Sequence, residues 1–160
     1  HERGLLTVDA AHGSTVSPEL LSAKVPGDSV EQAALGYLHV NCGVSCHNEG
    51  PEADARMTGL HLRLEHGEYA DVPSTDTFRT AINQAHGFNV LLPAPVPADG
   101  YLRVRPTDEG RSLVLARMKV RGMEQMPRIG TNVVDALGVM AVETWIEQMT
   151  EARGYPAPAP

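Results

Sequence analysis

Two cysteines and a histidine fall within six residues, directly after a stretch that has the pattern of an amphipathic helix. The segment reads Cys42-Gly-Val-Ser-Cys46-His47, and the chain contains no other cysteine. Apolar residues recur at four-residue spacing from Val30 to the first thiol, which predicts a helix at about 30–41. Both thiols and the imidazole therefore lie at the end of one helix, and the fold must accommodate whatever they bind.

Three kinds of chemistry suit two thiols beside an imidazole. In covalent haem attachment the thiols add to two vinyl groups and the imidazole reaches the iron, usually with the spacing Cys-x-x-Cys-His. Here the spacing is Cys-x-x-x-Cys-His, and Gly43 makes the extra residue easier to accommodate. A disulfide between Cys42 and Cys46 is a second interpretation. Metal-binding thiols are a third, although a structural zinc site needs four ligands and His47 would be only the third. We expect haem attachment.

Charge and hydropathy exclude other classes of protein. The formal net charge is −7, so binding to nucleic acid, which needs clustered lysine and arginine, is not expected. No apolar run reaches the roughly 18 residues that a membrane span needs. Two cysteines are too few for a disulfide-rich scaffold.

Met126 is the candidate for a second iron ligand. It lies in the loop Gln125-Met-Pro-Arg-Ile-Gly130, between two predicted helices. Proline does not join a helix interior, so this loop can present a thioether. Met126 as a core gap-filler is the alternative interpretation. The competing ligands are Met118, Met123, His61, His66 and His86.

The remaining pattern predicts helices near both ends and a partly extended middle. Helices are expected at 74–84, with Ser74 or Asp76 as N-cap, and at 111–120. The last helix is expected to begin at Asp135 and to bury one face, formed by Leu137, Ala141, Trp145 and Met149. Alternation at 60–64 and at 102–104 indicates two short strands that pair with each other.

These motifs together resemble a c-type cytochrome domain, in particular the cytochrome-like modules at the C-terminal ends of larger secreted bacterial proteins. Such modules lead into the haem motif with Tyr-Leu-x-x-Asn-Cys, which is similar to Tyr37–Cys42 here. Their Met-Pro-Pro-x-Gly-Thr loop is similar to Met126–Thr131, where Arg128 replaces the second proline. Their closing helix carries a Trp-Ile pair, as Trp145-Ile146 does. The resemblance covers about 29–50 and 106–150.

The resemblance implies a mainly α, cytochrome c-like fold with crossing N- and C-terminal helices. A partly β or irregular segment at about 58–104 would be an insert into that fold. The expected organisation is an irregular N-terminal extension (1–28), a cytochrome c-like domain (29–150) and a C-terminal tail (151–160). Where the helices cross, a small residue, Ala34 or Gly36, is expected against Trp145.

The resemblance also implies a function. One covalent haem c would be held by thioethers at Cys42 and Cys46, with His47 and Met126 as iron ligands. The domain would carry one electron and not act as an enzyme, with a redox protein or another domain of the same precursor as partner. Its abrupt start suggests a segment of a longer bacterial precursor, and an extracytoplasmic, periplasmic or secreted location is expected.

Three alternatives remain open. The first is a haem-free interaction module descended from a cytochrome, with a Cys42–Cys46 disulfide. The second is a peroxidase-like haem enzyme, which requires that Met126 leave the iron open. The third is copper bound by the amino group and ring of His1, although His1 is more readily explained as a boundary of the sequence.

Overall fold

The computed structural model describes residues 25–65, 70–87 and 90–159. Within them the chain forms four α-helices: α1 (Ser29–Leu38), α2 (Asp76–Ala81), α3 (Leu113–Lys119) and α4 (Ala136–Glu147). A π-helical turn, His39–Gly43, continues α1, and 3₁₀ turns occur at Arg56–Thr58, Glu109–Arg111 and Glu151–Arg153. The expected mainly α class is confirmed. None of these helices has both the length and the apolar character needed to cross a membrane.

Some sequence predictions concern residues that the structure does not describe. Nearly all of the predicted N-terminal extension (1–28) lies outside the described residues, and so do His1 and His66.

α1 begins with a capping box centred on Asp28. The pattern Ser29-Val-Glu-Gln32 predicts a capping box with Ser29 as N-cap, and this prediction is wrong by one residue. The Asp28 carboxylate accepts hydrogen bonds from the backbone N–H groups of Val30 and Glu31, at 2.9 and 3.1 Å. The Glu31 carboxylate in turn accepts from the Asp28 N–H at 2.8 Å. Two carboxylates bind these amides more strongly than the serine hydroxyl and glutamine amide of the expected box, and the helix dipole favours them.

α2 is shorter than predicted, and its N-cap is Thr75 and not Ser74 or Asp76. The Thr75 hydroxyl accepts from the Phe78 N–H at 3.1 Å. The helix ends at Ala81 because the chain turns to pair with 102–104.

α3 also starts later than predicted. Asp108 caps the 3₁₀ turn ahead of the helix, where its carboxylate accepts from the Arg111 N–H at 3.0 Å. α3 itself begins after Ser112, whose hydroxyl makes no cap and donates to the Asp108 carbonyl at 2.8 Å.

α4 begins as expected at Asp135, whose carboxylate accepts from the Gly138 N–H at 3.1 Å. The buried face differs from the expected one, because Leu137 is 74% exposed. The buried residues of α4 are Gly138, Val142, Trp145 and Ile146, and Met149 is buried just after the helix ends. Apolar residues surround much of this helix, so periodicity alone did not identify the face that packs.

α1 and α4 pack against each other, and α3 packs against α4. The tightest contact is between Tyr37 and Gly138, where an added Cβ on the glycine would lie 2.1 Å from the tyrosine ring. Gly36 does not make the expected contact with Trp145, because Val25 alone comes within 4 Å of a Cβ added at Gly36. Ala34, the other small residue expected there, is fully buried in the same core cluster as Trp145. The small residue of the closest contact therefore lies on α4, and the aromatic residue lies on α1.

Apart from α2, the described residues of the insert at 58–104 are mostly irregular, and the predicted pairing of 60–64 with 102–104 is wrong. Residues 102–104 form isolated bridges with 82–85. The 60–64 segment is held by the cysteine motif, since the Leu62 N–H donates to the His47 carbonyl at 2.8 Å. Leu62 and Leu64 are buried and Arg63 is exposed, so the alternation that indicated a strand reflects burial of one face of this segment.

The C-terminal segment packs onto the helices through buried polar groups. The Trp145 Nε1 donates to the Tyr155 hydroxyl at 2.8 Å, and that hydroxyl donates to the Glu31 carboxylate at 2.7 Å. Farther along, Asn83 donates to the Ala157 carbonyl at 2.8 Å. Residues 151–159 are thus part of the packed domain.

We expect Gly138→Ala to destabilise the fold by about 1–3 kcal/mol, because the new methyl overlaps the Tyr37 ring. Denaturant unfolding measures this change. Gly36→Ala is the matched control in the partner helix: it has room, and alanine favours helix over glycine by about 1 kcal/mol. Equal stabilities for the two variants would contradict the packing described.

Candidate functional site

One cleft contains all four residues that the sequence predicted as cofactor ligands. Cys42, Cys46, His47 and Met126 line a cavity of about 230 Å³ whose walls are mostly apolar. The end of α1 supplies the first three, and the loop between α3 and α4 supplies Met126. Side chains separated by nearly half of the chain therefore converge on one apolar space.

The extra residue of the motif is accommodated by a widened turn. The Val44 N–H donates to the His39 carbonyl and the His47 N–H donates to the Cys42 carbonyl, both at 2.9 Å and both across five residues. An α-helical turn spans four residues, so each of these turns holds one residue more. Both thiols and the imidazole consequently line the same cleft despite the longer spacing.

Gly43 is required by a close approach of two backbones. A Cβ at this position would lie 2.5 Å from the carbonyl of Leu62 and 2.5 Å from the amide nitrogen of Arg63. Its backbone φ is not positive, so the constraint is space and not conformation. The expectation that this glycine makes room within the motif is therefore modified: it makes room for the 58–104 insert.

His47 is buried, with 8% of its surface exposed. Burial lowers the pKa of His47, the Leu60 backbone opposes the shift, and nearby Arg117 and Arg103 lower it further. Its Nδ1 atom is buried and makes no hydrogen bond of normal geometry within the described structure. The imidazole is thus held neutral, which is the form that binds a metal ion.

Cys42 and Cys46 are free thiols. Burial raises the pKa of Cys42 to about 11, and the neighbouring Cys46 adds to the shift. Among the described residues, no group of three or more His, Cys, Asp or Glu side chains is arranged to hold a metal ion. The donors at this site are therefore two free thiols and one imidazole, and not a closed metal cage.

The loop around Met126 is held by its own side chains. The Gln125 amide donates to the carbonyls of Pro127 and Thr131, at 3.0 and 3.2 Å. The Met126 N–H donates to the Arg117 carbonyl at 3.0 Å, which ties the loop to α3. Met126 is half-buried, so its thioether lies at the cleft and outside the core.

The alternative iron ligands differ in whether they line the cleft. Met123 is 72% exposed and does not line the cleft. His61 also lies outside the lining and contacts Glu49 at 3.4 Å. Met118 and His86 do line the cleft, and Met118 is buried in the adjoining core. Met118 and His86 therefore remain alternatives to Met126 as the second iron ligand.

The 58–104 insert forms much of the cleft wall, a role that the sequence did not indicate. Its contribution consists of Thr58, Leu60, Leu62, His86, Gly87, Val90 and Arg103. Sequence reasoning also missed Arg117, a charged residue within the apolar pattern of α3. A cation among buried positions of a short helix is the signal that was available.

Comparison with known proteins finds no matching family, no matching curated protein and no matching solved structure.

We expect Cys42 of the haem-free protein to be alkylated about a hundredfold more slowly at pH 8 than in the urea-unfolded chain. A thiol with a pKa of about 11 in place of 9.0 has about one hundredth of the thiolate at this pH. The difference should vanish as the pH rises through 11. Iodoacetamide labelling with peptide mass mapping measures it, and the unfolded chain is the internal control. Equal rates at pH 8 would contradict the burial described.

Proposed function

We propose that this chain is a single-haem c-type cytochrome domain that carries one electron. Cys42 and Cys46 would form the two thioether bonds, and His47 and Met126 would be the iron ligands. The observation that carries the proposal is the convergence of these four side chains on one mostly apolar cleft. The cysteine motif and the Met126 loop were predicted from separate parts of the sequence. Neither prediction required the two segments to lie close together in the fold.

The residues present fit such a cofactor. An apolar cleft suits the porphyrin ring, and free thiols are the groups that add to its vinyl substituents. A buried, neutral imidazole next to the second thiol supplies a nitrogen ligand. Two free sulfurs also favour attachment over the alternative disulfide module. When bound, haem supplies an iron that alternates between the ferric and ferrous states.

The residues of the chain divide the work among anchoring, ligation and exclusion of water. Cys42 and Cys46 would anchor the group, and the widened turn places His47 in the same cleft. A thioether ligand from Met126 would raise the reduction potential, since thioether stabilises ferrous iron. If His47 and Met126 both bound the iron, no site on it would remain for a substrate. We therefore favour electron transfer over the peroxidase-like alternative.

The proposal extends to the fold and the cellular setting. We propose a cytochrome c-like arrangement in which α1 and α4 are the crossing helices, and their mutual packing supports it. We propose with it an extracytoplasmic location in a bacterium, either periplasmic or secreted. Its partner would be a redox protein or another domain of the same precursor. The net charge of −7 would steer a basic partner toward it.

Intact mass and single cysteine variants test the attachment. Protein from a host that matures c-type cytochromes should be red and heavier by one haem than the sequence mass. Cys42→Ser and Cys46→Ser should each retain haem through one thioether, and the double variant should lose it on acid–acetone extraction. A colourless product that is two hydrogens lighter than the dithiol would refute the proposal and support the disulfide module.

The axial ligand has a separate test. We expect Met126→Leu to abolish the sulfur-to-iron absorption band at the red end of the visible spectrum and to lower the reduction potential. Met118→Leu and Met123→Leu are matched controls, one in the cleft and one outside it, and should retain the band. If Met118→Leu removes the band and Met126→Leu does not, the assigned ligand is wrong although the haem proposal stands.

A further inference from the structure

Residues 60–64 form a part of the cleft wall that lies directly against the cysteine motif. Leu60 and Leu62 line the cleft. The Leu62 N–H donates to the His47 carbonyl at 2.8 Å, and the backbone of 62–63 leaves no room for a Cβ at Gly43. These links join backbone groups, which do not titrate. A response of this wall to pH therefore needs a side chain that does.

His39 is such a side chain, and it holds the next residue of the segment. The Leu64 N–H donates to the Nδ1 atom of His39 at 2.9 Å. A backbone N–H can only donate, so Nδ1 must offer a lone pair and the ring proton must lie on Nε2. Protonation of the ring places a hydrogen on both nitrogens. The hydrogen bond to Leu64 therefore exists only while His39 is neutral.

The two partners of this hydrogen bond are held by separate parts of the fold. His39 is the first residue of the widened turn, and its carbonyl accepts from the Val44 N–H at 2.9 Å. Leu64 is 5% exposed and belongs to the hydrophobic core cluster. With His39 protonated, two N–H groups would point at each other and the Leu64 amide would lose its acceptor, which is costly for a buried backbone group. Protonation therefore favours separation of Leu64 from the turn.

The surroundings of His39 favour the neutral ring near neutral pH. Burial lowers the pKa of His39, nearby Arg63 lowers it further, and Glu65 opposes the shift. Within the described ranges these two are the charged groups that act on the ring, and they pair with each other, with 3.1 Å between Nε and Oε1. Because the pKa lies below its ordinary value of 6.5, the hydrogen bond is formed above that pH and is lost as the pH falls through the lowered pKa.

We propose that His39 is a pH-sensitive switch that keeps residues 60–64 against the cysteine motif when neutral and releases their Leu64 end when protonated. Release opens the cleft on the side of Leu60 and Leu62, so acid conditions give a ligand easier access to it. The opening is local, because the contacts between α1 and α4 and between α3 and α4 do not involve this bond. The inference goes beyond the proposed function and does not depend on which group the cleft binds.

NMR and amide hydrogen exchange on the full chain without haem test the switch. Nitrogen-15 spectra of the His39 ring should show an unprotonated Nδ1 at neutral pH. The Val142 amide, in the buried face of α4, reports global stability. We expect protection of the Leu64 amide to fall about fivefold relative to Val142 as the ring titrates between about pH 8 and about pH 4, because one hydrogen bond of typical net strength corresponds to a change of this size.

Three variants separate the acceptor atom from the bulk of the side chain. His39→Asn places a carboxamide oxygen as many bonds from the backbone as Nδ1, and this oxygen accepts at every pH. This variant should keep the protection of Leu64 and lose its dependence on pH. His39→Leu should lack the protection at every pH. His61→Asn removes the other histidine of this wall, whose Nδ1 lies 3.4 Å from a Glu49 carboxylate oxygen, and should behave as the wild type does.

Two results would overturn the inference. One is protection of the Leu64 amide that stays constant relative to Val142 while the His39 ring titrates, and this measurement needs no variant. The other is a pH dependence that persists in His39→Asn, which would assign the response to another group. Neither result bears on haem attachment, which intact mass tests separately.

Discussion

The contact between Tyr37 and Gly138 sets the distance between the two halves of the site. Tyr37 lies one turn before the cysteine motif, and Gly138 lies on the helix that follows the Met126 loop. Because the Tyr37 ring occupies the space that a Cβ at residue 138 would need, only glycine allows α4 to lie this close to the ring. The motif and the methionine loop are thereby brought to one cleft, and the assignment of ligands depends on that approach.

A second close approach completes the cleft. The backbone of 62–63 passes so near Gly43 that no Cβ fits between them. This contact draws the 58–104 insert over the cysteine motif, so the insert supplies apolar wall and the Arg103 cation. Its irregular backbone is compatible with burial because its amide groups bond to the motif and to neighbouring hydroxyl groups.

Local patterns predicted what depends on neighbours in sequence. The end helices, the Asp135 cap and the motif follow from periodicity and capping chemistry. The buried face of α4 did not, because Leu137 and Val142 are equally apolar and only packing distinguishes them. The bridges that residues 102–104 form could not be predicted from local patterns either, since tertiary contacts decide which segments pair. The sequence shows that residue 117 is an arginine, but it does not show that this side chain is buried beside His47.

The widened turn at His39–Gly43 has a consequence for how such a motif can vary in length. One residue added to an α-helix rotates everything after it by about 100° around the axis. Here two widened turns hold the surplus residue, and Cys42, Cys46 and His47 still line one cleft. The number of residues between the two cysteines is thus coupled to the width of the helical turn. A variant of this chain with the shorter Cys-x-x-Cys-His motif would need a tighter turn at the same residues.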